Sequence, residues 1–162
     1  MAYDTILHIT AADLDKDGYY IGSTDVSAEF DGSIEIAADL GRVVFKTSIR
    51  AKYSIRAMSH SGIKAGFDIK AGRGIKAGLD IKAGRGIEAG RGIEAGLSIV
   101  GVWISARLRV FAGLCAWRLP DESEMEIRAE LRGGIIAFGT HVPPTAASVA
   151  EPAGDAPPQA TE

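Results

Sequence analysis

Three carboxylates alternate along Asp13-Leu14-Asp15-Lys16-Asp17-Gly18. That arrangement opens a calcium loop, in which hard oxygens converge on the cation and a Gly permits the sharp turn. The bidentate Glu that closes such a loop is missing: Thr24 stands at the twelfth position, followed by Asp25, and no flanking helix is evident. An acidic hairpin turn is the preferred reading, with calcium at Asp13, Asp15 and Asp17 as the alternative. No other cofactor is expected.

Other constellations fall short of a reaction. Gly72-Arg73-Gly74-Ile75-Lys76-Ala77-Gly78 has the look of a phosphate cradle, but the dinucleotide fingerprint needs Gly where Ala77 stands, and no Gly-Lys-Ser/Thr occurs. Ser61-Gly62-Ile63-Lys64 matches Ser-x-x-Lys, whose chemistry needs the Ser at a helix start beside further motifs that are absent here. His8, His60 and His141 are scattered and fit no metal or nucleophile spacing. Cys115 is the only cysteine, so the chain can build no internal disulfide, Cys-based zinc cage or iron–sulfur cluster. Burial is its expected fate. The chain is therefore read as non-enzymatic.

Charge is segregated along the 162 residues. The net charge of −3 divides into −8 over residues 1–41, +11 over 42–118 and −6 over 119–162. A basic middle between acidic ends can attract an anionic partner or neutralise its own termini. The Lys and Arg rows could track phosphates, but few aromatics are interleaved for base stacking, so a solvated face is preferred over nucleic-acid binding. No apolar stretch approaches the roughly 20 residues that span a bilayer, so no membrane partner is expected. Met1-Ala2-Tyr3-Asp4 lacks a basic start and a following apolar core, which makes the cytoplasm the default compartment.

What must position these groups is a repeat. Six hexads fit Ile-[Lys/Glu]-Ala-Gly-[Phe/Arg/Leu]-[Asp/Gly/Ser], starting at Ile63, Ile69, Ile75, Ile81, Ile87 and Ile93. Ile99 starts a degenerate seventh; Val43, Ile49 and Ile55 keep the spacing upstream, and Ser61-Gly62 inserts two residues before Ile63. A helix cannot use this pattern, because a Gly in every hexad costs nearly 1 kcal/mol each relative to Ala, and a six-residue period walks around the helix axis. In an extended segment the Ile and Ala face one side and the Lys or Glu between them the other. The Gly then makes a corner, through positive φ or through a close backbone approach that a Cβ would prevent.

Stacked coils of such hexads form a β-solenoid, all-β in class, in which each coil buries its apolar side on its neighbours. Three hexads per coil put residues eighteen apart in register. Lys70 then lies beside Glu88 and Lys76 beside Glu94, whereas two hexads per coil would stack Asp68 on Asp80 and Lys70 on Lys82. The three-sided coil is preferred, at the cost of Lys64 over Lys82 and Arg73 over Arg91. It gives roughly three coils rising about 4.8 Å each. Leu79 and Leu97 fall on one outer corner and Phe67, Arg85 and Trp103 on another. These apolar ridges, with Lys64, Lys82 and Arg85 on one face and its adjoining corner, are the expected partner-binding residues.

The organisation follows: an acidic cap and solenoid entry over 1–42, the hexads over 43–104, a C-terminal β cap over 105–142, and a Pro/Ala-rich acidic tail over 143–162 expected to be disordered. In the first cap, Ile6 to Thr10 and Tyr19 to Ile21 read as strands. In the second, Ile104, Ala106, Leu108 and Val110 read as a half-buried strand, and Gly133-Gly134 as a hairpin turn into Ile135–Val142.

The tandem hexads, followed by Arg109-Val110-Phe111-Ala112-Gly113-Leu114-Cys115-Ala116-Trp117-Arg118, then by a Glu-rich stretch and a short Gly-containing strand, resemble a group of uncharacterised proteins encoded by bacterial phages and prophages. The resemblance covers about 43–140 and carries no catalytic residues. It implies a mobile-element setting, in which small proteins act on host complexes, including as anti-CRISPR or other anti-defence inhibitors. The hexapeptide acyltransferases also fold as three-sided β-helices, but their repeat places a small residue where this chain has Phe67, Arg73, Leu79, Arg85, Arg91 and Leu97. The functions expected are thus a protein-binding inhibitor of a host complex such as a CRISPR effector, a self-assembling bactofilin-like homo-oligomer, or a basic nucleic-acid-binding solenoid.

Overall fold

An Ile and an Ala two positions apart put both side chains on one side of an extended backbone. In the computed structural model, which describes residues 5–144, this alternation closes into an all-β parallel β-solenoid with three faces. One face stacks β3 (Gly41–Phe45), β6 (Ser61–Ala65), β9 (Ile81–Ala83), the start of β12 (Ile99–Phe111), the start of β13 (Glu126–Phe138) and β14 (Thr140–Val142). The second stacks β4 (Ile49–Ala51), β7 (Ile69–Ala71), β10 (Gly86–Ala89) and the middles of β12 and β13. The third stacks β1 (Ile6–Ile9), β2 (Ser33–Ile36), β5 (Ile55–Ala57), β8 (Ile75–Ala77), β11 (Ile93–Ala95) and the ends of β12 and β13.

The register is the one that charge placement favours. Ile63 lies on Ile81, Ile69 on Ile87 and Ile75 on Ile93, each pair eighteen residues apart. All six of these Ile side chains are fully buried, each contributing roughly 1.5–3 kcal/mol over an exposed side chain. Ser61 and Gly62 lengthen the preceding coil by extending β6, where they pair with Gly41 and Arg42. The buried Ser61 hydroxyl donates to the Ala37 carbonyl at 2.6 Å and accepts from the Leu40 N–H at 3.0 Å, so the insertion carries its own polar partners.

The corner glycines act by close approach. None of the hexad glycines has positive φ. A Cβ at Gly84 would instead run into the carbonyl oxygen of Gly66 one coil below, and one at Gly90 into that of Gly72. Past the hexads this changes: Gly113, Gly134 and Gly139 have positive φ, at +85°, +92° and +108°.

Past Ile99 three expectations are corrected. Five residues rather than six separate Ile99 from Ile104, so Ile104 pairs with Ile87 and Trp103 with Gly86, one residue off the hexad register. Val102 therefore sits above Arg85 at the corner, donating its N–H to the Arg85 carbonyl at 2.7 Å, while Trp103 turns onto the second face. Leu108, within β12, is exposed where the strand turns a corner rather than half-buried, and its N–H donates to the Arg91 carbonyl at 2.9 Å. No hairpin forms at Gly133-Gly134: β13 runs through both glycines, parallel to β12, and β14 pairs parallel with the start of β13. Parallel stacking thus continues beyond residue 104 to Val142, adding coils to the roughly three expected.

At the amino end all three faces are covered. β1 pairs with β2, Tyr19 bridges Val44 on β3, and Phe30 bridges Ala51 on β4. The segment expected as a strand from Tyr19 to Ile21 is reduced to bridges, Leu14 to Tyr20 and Tyr19 to Val44. No helix among the described residues is long and apolar enough to cross a membrane. Most of the tail expected to be disordered lies outside the described residues.

Candidate functional site

The outward residue of each Ile-x-Ala triplet forms a ladder along its face, and the three ladders differ in charge. On the second face Arg50, Lys70 and Glu88 stack, with Lys70 and Glu88 3.6 Å apart. On the third, Glu35, Arg56, Lys76, Glu94 and Phe111 stack, with Lys76 and Glu94 3.6 Å apart. On the first, Val44, Lys64, Lys82, Val100 and Arg128 stack with no acid among them.

The partner-binding residues expected from sequence frame this first face. Lys64 and Lys82 are laterally paired on it, and Lys82 is 3.6 Å from Asp80 at its edge. Leu79 and Leu97 stack on one bordering corner, half-buried rather than fully exposed, with Leu97 N–H donating to the Leu79 carbonyl at 3.1 Å. Phe67 and Arg85 stack on the other bordering corner and are exposed. Trp103 leaves that corner: it is half-buried, packed over Gly86 with the Arg132 guanidinium 5.0 Å above its ring. Asp80, only 7% exposed, is satisfied by Arg42, which donates at 2.6 and 3.4 Å. Gly62 is required beneath it, because a Cβ there would meet the Asp80 carboxylate.

The acidic turn uses its carboxylates locally. Asp13 accepts from the Thr10 N–H at 2.9 Å, and Asp15 accepts from the N–H groups of Asp17 and Tyr19, both at 2.9 Å. This is the hydrogen-bonding pattern of an Asx turn. Among the described residues no three His, Cys, Asp or Glu side chains converge as a metal site.

A concavity lies on the third face, where sequence reasoning placed no site. It is a groove of about 840 Å³, within the size range of ligand sites. Its floor is the outward ladder of Arg56, Lys76 and Glu94. Arg73 and Arg91, stacked through the Arg91 N–H and the Arg73 carbonyl at 2.8 Å, form one wall. Met58, Leu114 and Trp117, each 43–45% exposed, form the apolar part of the other. Arg73 over Arg91 is visible in the repeat register, but the opposite wall joins residues far apart in the chain and has no periodic signal.

The non-repetitive segment after β12 holds that apolar wall in place. Leu114 N–H donates to the Ala95 carbonyl at 3.1 Å, which seats the segment on the third face. Trp117 packs against His60, ring centroids 4.7 Å apart, and against the Arg118 guanidinium at 4.9 Å. Arg118 donates two bonds to Glu124, both at 2.7 Å. Those bonds, followed by the Asp121 N–H, hold the Glu124 carboxyl down at about 2. Cys115 in this segment is half-buried. Comparison with protein-family models, curated proteins and solved structures finds no match to this chain.

Proposed function

We propose that this protein is a non-enzymatic binding solenoid that grips a protein partner through the third-face groove. Its proposed role is to inhibit a bacterial defence complex, such as a CRISPR effector, in the host cytoplasm. The groove carries this reading: it combines exposed apolar side chains with a surround of arginine and lysine, the composition of a protein interface with anchors and a polar rim. The likeness of the hexads and of Phe111-Ala112-Gly113-Leu114-Cys115-Ala116-Trp117 to phage-encoded proteins supports a defence complex as the target. The test is an interference assay in bacteria carrying an active CRISPR system, paired with co-purification of the tagged protein with the effector subunits. Restored plasmid or phage survival with a co-purifying subunit is the expected result. Unchanged interference across several CRISPR types, with no subunit retained, removes the reading.

Self-assembly is a second reading, favoured by the last coil. Among the described residues β14 covers β13 only from Glu126 to Arg128, and Ile135 and Phe138 beyond that cover are exposed. An open strand edge with apolar side chains is a template for another chain. Filaments or a growing scattering signal with concentration would select this reading.

A further inference from the structure

We infer that the third-face groove recognises an extended acidic peptide segment of a partner, with an apolar residue seated against Met58, Leu114 and Trp117 and carboxylates facing Arg56, Arg73 and Arg91. The inference rests on the protein-binding reading above and names the chemistry of what is bound. Charge decides the sign. The groove presents Arg56, Arg73, Lys76 and Arg91 against Glu94, and Glu94 is already engaged by Lys76 at 3.6 Å. Arg56 and Arg91 have no acidic partner among the described residues, so both guanidiniums keep their full donor sets for carboxylates. The smaller cavity on the second face lacks this imbalance: there Arg50, Lys70 and Arg85 are matched by Glu29, Asp68 and Glu88.

The aromatic rings decide between peptide and nucleic acid. A single strand needs open aromatic faces on which bases can stack. Trp117 is already engaged by His60 and Arg118, and Tyr53 at the opposite border lies under Arg73 at 4.6 Å and Lys52 at 5.5 Å. These contacts compete with base stacking on both rings, while the partly exposed Trp117, Leu114 and Met58 offer apolar area to an aliphatic side chain. The mode of recognition is also constrained. β5, β8 and β11 pair with one another, so the groove floor offers no free strand edge. The segment is read through side chains rather than by strand addition. Alternate residues of an extended peptide face the same side, so acidic and apolar positions can be split between the two walls.

Fluorescence anisotropy on the full chain tests this with a fluorescein-labelled octapeptide alternating Glu with Leu. The controls are the same peptide with Ser for Leu, and an eight-nucleotide oligothymidylate. The Glu/Leu peptide is expected to bind, and the Ser peptide about tenfold more weakly. Arg73→Glu combined with Arg91→Glu should raise Kd at least about tenfold, as should Trp117→Ala. Lys46→Glu, at the exposed corner between the first and second faces, should leave Kd unchanged, and thermal melts of each variant confirm folding. Absence of peptide binding at millimolar concentration, tighter binding of the oligothymidylate, or indifference to the arginine reversals in folded protein each overturns the site. A CRISPR subunit that the Arg73→Glu/Arg91→Glu variant still retains removes this groove but leaves the protein-binding function standing; failure of the unmodified chain to capture any subunit removes the function itself.

Discussion

A single hydrogen at each corner sets the spacing of the coils. The glycine in Ile-x-Ala-Gly is visible in the sequence as a corner, but two physical reasons for it were open, and only the backbone geometry separates them. Because the obstruction at Gly84 is the Gly66 carbonyl rather than a movable side chain, relief requires the coils to separate. Gly84→Ala is expected to cost about 3 kcal/mol, the upper end of typical overpacking changes. Gly74→Ala is the control, since its Cβ would meet only the Gly92 carbonyl at 3.6 Å, an ordinary contact, and should change stability by less than about 0.5 kcal/mol. Urea denaturation of the two variants makes the comparison, and equal midpoints would show that coil contact does not limit the corner.

At the scale of elements, the segment between β12 and β13 is the wall of the groove, and an ion pair at its base holds it. Glu124 has its carboxyl depressed to about 2 by Arg118 and the Asp121 N–H. A depressed carboxylate stabilises the folded segment fully above its ordinary value of 4.5, and that contribution is lost as pH falls through about 2. Trp117 reports on this, since Arg118 touches both the Trp117 ring and Glu124. In a background carrying Trp103→Phe, which removes the second indole, and His60→Asn, which removes the imidazole against the Trp117 ring, Trp117 emission is therefore expected to hold steady from pH 7 to about 3 and to change with a midpoint near 2. Glu124→Gln should abolish that transition and loosen the segment at neutral pH, read as a red shift of Trp117. A midpoint near 4.5 in the unmodified chain would mean that the Arg118 clamp does not form.

On the scale of the whole molecule, the two ends are unequal. Residues 5–31 supply β1, Tyr19 and Phe30, one cover for each face, whereas among the described residues β13 is uncovered beyond Arg128. Stripping the covers from the amino end bares three strand edges at once. A chain lacking residues 1–31 is expected to associate with rising concentration in light scattering, well beyond the full chain under the same conditions. Equal scattering from both chains would show that β1, Tyr19 and Phe30 are not edge protection. The same asymmetry bears on assembly, because a head-to-tail filament needs two open ends and the described residues present one.

The amino-acid sequence by itself determined the period, the inward Ile and Ala, the three-sided coil and the ladders of Lys70 on Glu88 and Lys76 on Glu94. In a solenoid each coil touches its neighbours in the chain, so pairing is a fixed offset that side-chain type and charge can reveal. The positions around the first face were legible for the same reason. Three features had no such offset to reveal them. The five-residue step from Ile99 to Ile104 displaces Trp103, because a strand passing a corner can lose a residue while keeping its inward side chains buried on the coil below. The run of β13 through Gly133 and Gly134 depends on an available β12 edge, which outweighs the local turn preference of two glycines. The groove needed the tertiary structure most, since its apolar wall joins Met58 of one coil to Leu114 and Trp117 of a segment outside the repeat, and only packing on the third face brings them opposite Arg73 and Arg91.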